Sequence, residues 1–209
     1  MSSKYFPSLI TFLSIFLINP TICILSFKNP TSFSLKNGKI FVIHSLGIDI
    51  CDNLYINSNN ILTFDNPIID EDDLSSISIS KFSNDHFIIF IINKIYLFDE
   101  NGQNLFISDS ISGLYYDEYY TLSTHKIEGT NYYFLLGYID LRYFYAHLFY
   151  YKINLSSSSL TKVSTKNIND EDIHYNGLSC QFVLYGASEK IMCIFQESYY
   201  FIVYICYID

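Results

Sequence analysis

The chain is predicted to be all-β, built from repeated antiparallel meanders, and three observations lead there. A pattern of short strands separated by polar turns returns about every 44 residues, a period at which each repeat forms one supersecondary unit. Half of the 209 residues are hydrophobic and 18% are aromatic, with 20 Tyr, 18 Phe and no Trp. β-Branched and aromatic side chains fit pleated, half-buried surfaces better than helices. Finally, the middle strand of each unit is the most uniformly apolar, as expected of a strand packed on both faces. Only 16% of residues are charged, which excludes disorder of the whole chain, and the length suffices for one domain with a sizeable core.

The N-terminus reads as an address. Lys4 gives a positive flank, and residues 9–18 are apolar except for Thr11 and Ser14. Asn19 and Pro20 then break the run, and Thr21, Ile22 and Cys23 occupy the positions a signal peptidase reads. A run of about ten residues is half of what crosses a hydrocarbon core. A secretory signal over residues 1–23 is therefore expected, leaving 24–209 as one domain. Two rivals stay open: an uncleaved signal anchor, because apolar residues resume at 22–25, and a buried first strand. Membrane attachment is expected only if the segment is retained.

The first unit begins with a strand at 32–35. Asn37-Gly38, the strongest short hairpin signal in the chain, leads into 39–43, and Leu46-Gly47 turns into 48–51. Its fourth strand is either 55–56 or 61–64, the Asn- and Ser-rich stretch 57–60 blurring the choice. The second unit is the clearest. Alternating Ile77, Ser78, Ile79 and Ser80 pass through Ser83-Asn84-Asp85 into the apolar run 87–92. Asn93-Lys94 turns into 95–98, and residues 99–102, Asp-Glu-Asn-Gly, turn into 105–107.

The third unit starts at 119–122 and turns at Glu128-Gly129-Thr130 into 132–138. A wider excursion at 140–146 precedes 148–153, and the polar turn 154–159 leads to 160–163. The fourth has 180–185, 191–195 and 199–207, with no outer strand. First strands are spaced by about 44, about 43 and then about 60 residues, the last stretched by insertions around Asp140 and Asn167.

Residues 31–209 on these grounds resemble the β-propeller superfold in general, with about four blades, the last incomplete; no WD or kelch signature accompanies the resemblance. Residues 22–27 would close a four-blade ring by supplying the absent strand, or the chain is a fragment or shortened relative of a larger propeller. Tyr-rich segments such as 199–207 also suit a sandwich or half-barrel.

Charge narrows the partners. Lys and Arg number 12 against 21 Asp and Glu, a net charge of −9. Nucleic acid is not an expected partner, because phosphate neutralisation needs clustered cations. Three acidic clusters, Asp70-Glu71-Asp72-Asp73, Asp117-Glu118 and Asp170-Glu171-Asp172, each precede the first strand of a unit. In a propeller such loops gather on one face, where their summed field would attract a basic partner or a hard cation. Paired tyrosines, among them Tyr119-Tyr120, Tyr132-Tyr133, Tyr150-Tyr151 and Tyr199-Tyr200, are either packing residues or a recognition surface.

Chemistry-bearing motifs are few. There is no GxSxG, HExxH, Gly-rich phosphate loop or EF-hand spacing, so no metal or cofactor is expected. The five histidines are spread over the units, and none lies at i+2 or i+4 from another His or Cys. Cys180 and Cys193 flank a turn almost symmetrically, which places them on adjacent antiparallel strands as a disulfide candidate or as buried thiols. Asn154-Leu155-Ser156 is the sole glycosylation sequon. The expected role is non-catalytic recognition of a protein or glycan in the secretory pathway. An exported hydrolase or lyase is the rival, for which Asp49, Asp72, Asp117, His125 and Asp172 would have to converge. A shortened relative without independent activity is the third reading.

Overall fold

The computed structural model describes residues 31–44, 46–52, 58–64, 77–114, 119–140, 145–169, 177–185, 188–196 and 201–207. Residues 1–23, where a secretory signal is expected, and all three acidic clusters lie outside them. Every described regular element is a β-strand, and the strands form four antiparallel sheets in which sequence neighbours are spatial neighbours. The all-β array of meanders is thus the architecture, and its fourth member has three strands.

The chain divides into two compact units. The first carries β1 (Thr31–Ser34), β2 (Ile40–His44), β3 (Gly47–Cys51) and β4 (Ser58–Thr63). Phe41, Ile43 and Ile48 are fully buried here. β4 runs through the Asn- and Ser-rich stretch and overlaps the 61–64 alternative for the fourth strand, while residues 55–56 lie outside the described residues. Asn60 lies opposite Asp49, donates to its Oδ1 at 3.0 Å and to the Leu62 carbonyl at 3.2 Å, so its amide is used by the sheet itself. Gly47 is required at the start of β3, because a Cβ there would overlap the Leu62 carbonyl oxygen.

The second unit holds three sheets. One is β5 (Ser78–Lys81), β6 (Phe87–Ile91), β7 (Lys94–Phe98) and β8 (Asn104–Ile107). The next is β9 (Tyr119–Glu128), β10 (Asn131–Asp140), β11 (Tyr145–Asn154) and β12 (Ser159–Asn169). The last is β13 (Gly177–Tyr185), β14 (Ser188–Gln196) and β15 (Phe201–Cys206). The turn between β6 and β7 is Ile92-Asn93, one residue earlier than its polar residues advertise. Strands β9 to β12 run 10 or 11 residues, so much of the polar sequence around Asn167 is strand rather than inserted loop.

β10 explains why the three sheets stack. Its side chains alternate between two cores, as a period of two requires. Tyr132, Phe134, Leu136 and Tyr138 join Ile88, Phe90, Ile95 and Leu97 of the preceding sheet. Leu135 and Ile139 join Cys180, Ile191, Cys193 and Phe195 of the following one. Each buried aliphatic or aromatic side chain contributes about 1.5–3 kcal/mol of burial free energy, before the entropy of ordering the chain. Gly137 is the gap in the second row. A Cβ there would come within 2.9 Å of Thr121 Cγ2, 3.0 Å of Leu148 and 3.3 Å of Leu178 from β13.

First strands of consecutive sheets touch, β5 against β9 and β9 against β13. Polar side chains stitch them together. The Thr124 amide donates to Ser80 Oγ at 3.0 Å, and the Thr124 hydroxyl donates to the Lys81 carbonyl at 2.6 Å. At the next junction the Cys180 amide donates to Thr121 Oγ1 at 3.3 Å.

Candidate functional site

The most chemically loaded place in the second unit lies where the β9–β12 and β13–β15 sheets meet. His125 on β9 has its ring stacked on Phe182 of β13, with centroids 4.0 Å apart and planes 8° from parallel. Tyr150 of β11 is 2.6 Å from Nδ1 through its hydroxyl, and Glu189 at the start of β14 brings Oε2 within 2.6 Å of Nε2. Together with Lys190 and Ile191 these residues line a cavity of about 140 Å³.

Burial, reinforced by Tyr133 and the nearby Glu189 and Glu128 carboxylates, pushes the Tyr150 phenol well above its ordinary value. Tyr150 thus stays a neutral phenol hydrogen-bonded to Nδ1, while Nε2 faces Glu189. That nitrogen is buried and its carboxylate contact is close but out of hydrogen-bond alignment. Glu189 is the exposed end of the row.

The same three residue types recur one junction earlier. Tyr132 of β10 places its hydroxyl 2.9 Å from Nδ1 of His86, whose Nε2 lies 3.3 Å from Glu100 Oε2. Asn84 donates to the Tyr132 hydroxyl at 3.2 Å. Both rows cross from one sheet to the next. A cavity of this size holds a few waters, well under the several hundred Å³ of a typical small-molecule site. Each tyrosine hydroxyl is hydrogen-bonded to an imidazole, and each imidazole sits between a tyrosine and a glutamate. Chemically the rows clasp sheets together.

Asp49, one residue of the rival catalytic set, belongs to the first unit, buried on β3 with Oδ1 3.3 Å from His44 Nε2. His125 is the member of that set placed in the clasp, and Asp72, Asp117 and Asp172 fall outside the described residues. So do Asp70, Glu71, Asp73, Glu118, Asp170 and Glu171 of the acidic clusters. Among the described residues no three His, Cys, Asp or Glu side chains gather as a metal site, and none of the helices that could cross a membrane is found there.

Cys180 and Cys193 are joined by a disulfide. They are direct cross-strand partners on β13 and β14 with Cα atoms 4.1 Å apart, the close spacing of a pair that exchanges no backbone hydrogen bonds. The Cys180 amide is accordingly free to bond Thr121. Burial pushes the remaining described thiols, Cys51 and Cys206, up from their ordinary value. Asn154 closes β11, donating to Asn131 Oδ1 at 2.9 Å and accepting from the Ser157 amide at 2.9 Å. Ser156 of the sequon is exposed in the following turn.

Of the paired tyrosines, Tyr120, Tyr132, Tyr150 and Tyr151 are buried in the second unit and Tyr133 is half-buried, whereas Tyr199 and Tyr200 lie outside the described residues. Leu46, Ile107 and Val163 are exposed singly, and the exposed apolar side chains that cluster among the described residues lie on the last sheet. Phe201, Val203 and Ile205 alternate along β15 at 67%, 54% and 45% exposure, and Tyr207 follows at 52%. Val203 and Ile205 lie opposite Ile194 and Met192 of β14, so one face of this sheet is a continuous apolar stripe. Sequence reasoning marked 199–207 as a strand but had no means of telling which of its faces would be covered.

Compared with protein-family models the chain matches none, and no curated protein matches it significantly.

Proposed function

We propose that this chain is a propeller-like binding domain of the secretory pathway that recognises a protein or glycan surface without catalysing a reaction. One observation carries the reading: the exposed apolar face of the β13–β15 sheet. Large contiguous apolar patches on soluble domains mark interaction sites. The propeller assignment is supported by successive meanders whose first strands adjoin and whose middle strands are buried on both sides. Export is supported by the apolar run at 9–18 and by the Cys180–Cys193 bridge, since disulfides persist in oxidising compartments. A sugar on Asn154 would sit at the end of β11, next to the exposed turn that follows. The acidic clusters add a preference for basic partners, with direct contact left to the apolar stripe.

The test is binding of the oxidised, recombinant chain to arrays of glycans and of extracellular protein domains, at low and physiological salt. Specific binding that drops at least about tenfold in Val203→Glu is expected, since an interface charge left unpaired costs a few kcal/mol. Blank arrays, or binding indifferent to Val203→Glu, overturn the reading. Mass spectrometry of the same preparation from a secreting host should show loss of residues 1–23 and a glycan on Asn154.

A further inference from the structure

The covered and uncovered faces of the second unit differ in a way that identifies a partner. The outer face of the last sheet presents Val183, Met192, Ile194, Phe201, Val203 and Ile205, flanked by Ser179, Gln181 and Gln196. Among its described residues there is no carboxylate, although the chain carries 21 Asp and Glu and a net charge of −9. Its one cation, Lys190, sits 4.5 Å over the Tyr207 ring. The opposite face of the same sheet, carrying Ile191, Cys193 and Phe195, is buried against β10 and β11. One side of the sheet is thus covered by a sheet of like chemistry, Leu184 at the hairpin end excepted, while on the other side Phe201, Val203 and Ile205 stand exposed beside the half-buried Val183, Met192 and Ile194.

Resting on the binding reading of this face, we infer that its partner is a second copy of the chain, packed face to face about a two-fold axis. Charge selects that arrangement. Two molecules each at −9 repel one another wherever carboxylates meet, and this acid-free stripe offers a surface on which they can approach. Symmetry completes it, because a two-fold contact matches a patch to itself and an apolar stripe is self-complementary. Aligned sheets then interdigitate at a spacing of about 10 Å.

Size sets the strength. Three strands at about 4.8 Å spacing and seven residues at about 3.3 Å give a footprint of roughly 14 by 23 Å per copy. With side-chain relief the total buried area is on the order of 1,000 Å², the lower end of specific interfaces, which makes the dimer dependent on concentration. Salt should strengthen it by screening the mutual repulsion, opposite to its effect on a basic partner held by the acidic clusters.

Sedimentation equilibrium of the full oxidised chain, from about 1 to about 200 µM and at about 50 and about 500 mM NaCl, reads this directly. The expected result is a weight-average mass rising towards twice the monomer, earlier at high salt. Val203→Glu should remain monomeric while keeping its circular dichroism; Ser179→Glu, an exposed position on the same face, provides a second probe should Val203→Glu fold poorly. Mixing Val203→Glu with Val203→Lys should restore the dimer, which only a contact through this face explains. A monomer throughout the range, or a dimer untouched by both glutamate variants, overturns the inference. A monomer whose array binding is lost in Val203→Glu removes the second copy and keeps the recognition reading. A dimer with blank arrays does the reverse.

Discussion

At the scale of single residues, conformation and titration give two predictions. Ile92 and Asn93 hold φ of 51° and 58°, the backbone of a two-residue type I′ turn between β6 and β7. A β-branched residue is disfavoured there by about 1–2 kcal/mol, whereas Asn visits that region readily. Ile92→Asn should stabilise the protein by about 1 kcal/mol, read as a higher midpoint in urea. A lower midpoint would mean that the packing of the half-buried isoleucine outweighs the strain. The second prediction concerns Tyr151, whose phenol burial pushes up to about 12. An unfolded tyrosine ionises near about 10. Above that pH the unfolded chain sheds a proton that the folded chain keeps, so stability present at neutral pH is lost as the pH climbs to about 12, by roughly 2–3 kcal/mol. Tyr151→Phe removes this ionisation, so urea midpoints at about pH 9 and about pH 11 should diverge less in the variant than in the parent. Equal slopes would show that Tyr151 does not titrate with unfolding.

Elements differ in how plainly the sequence announced them. The β5–β8 sheet was legible almost strand by strand because its turns carry their own chemistry: Asp99 Oδ1 accepts the amides of Asn101 and Gln103, and Gly102 takes φ of 84°. β9 and β12 were underestimated because Thr, Ser and Lys fill their exposed or intersheet positions, and polar side chains there look like loop. The clasps were invisible for a different reason. His125 finds Tyr150 25 residues away and Glu189 in another sheet, a proximity made by stacking rather than by any spacing along the chain. The β13–β14 hairpin, by contrast, was readable from two cysteines set symmetrically about a turn. Its disulfide closes a loop with a sequence separation of 13, for which loop-closure entropy gives about 3 kcal/mol. Cys180→Ala with Cys193→Ala should lower the unfolding free energy by about that amount, measured in guanidinium with the oxidised parent as reference. A loss under about 1 kcal/mol would place the hairpin's stability in the core around Phe195 instead.

For the whole molecule, the composition that made an all-β array legible also sets its electrostatics. Alternation and turn residues suffice to count meanders, but which apolar face stays bare depends on what stacks against it, and no local pattern encodes that. Charge is different, because it sums without regard to position. At −9 the chain carries more carboxylates than cations, and where described carboxylates meet lysines the pairs lie at the surface: Asp85 with Lys81 at 2.6 Å, Glu128 with Lys126 at 2.8 Å. Exposed pairs of this kind contribute little. Net self-repulsion therefore opposes folding, and it reaches across the molecule at low salt, where the Debye length is about 30 Å at 0.01 M, but not at 0.15 M, where it is about 8 Å. Raising NaCl over that interval should lift Tm by a few degrees, measured by circular dichroism at about 1 µM protein so that association adds nothing. Sodium sulfate at equal ionic strength should match chloride if screening is the cause, and exceed it if apolar burial is being reinforced. A Tm that does not move with either salt would sink the picture of an unneutralised acidic chain, and with it the charge argument for the acid-free face as the meeting surface.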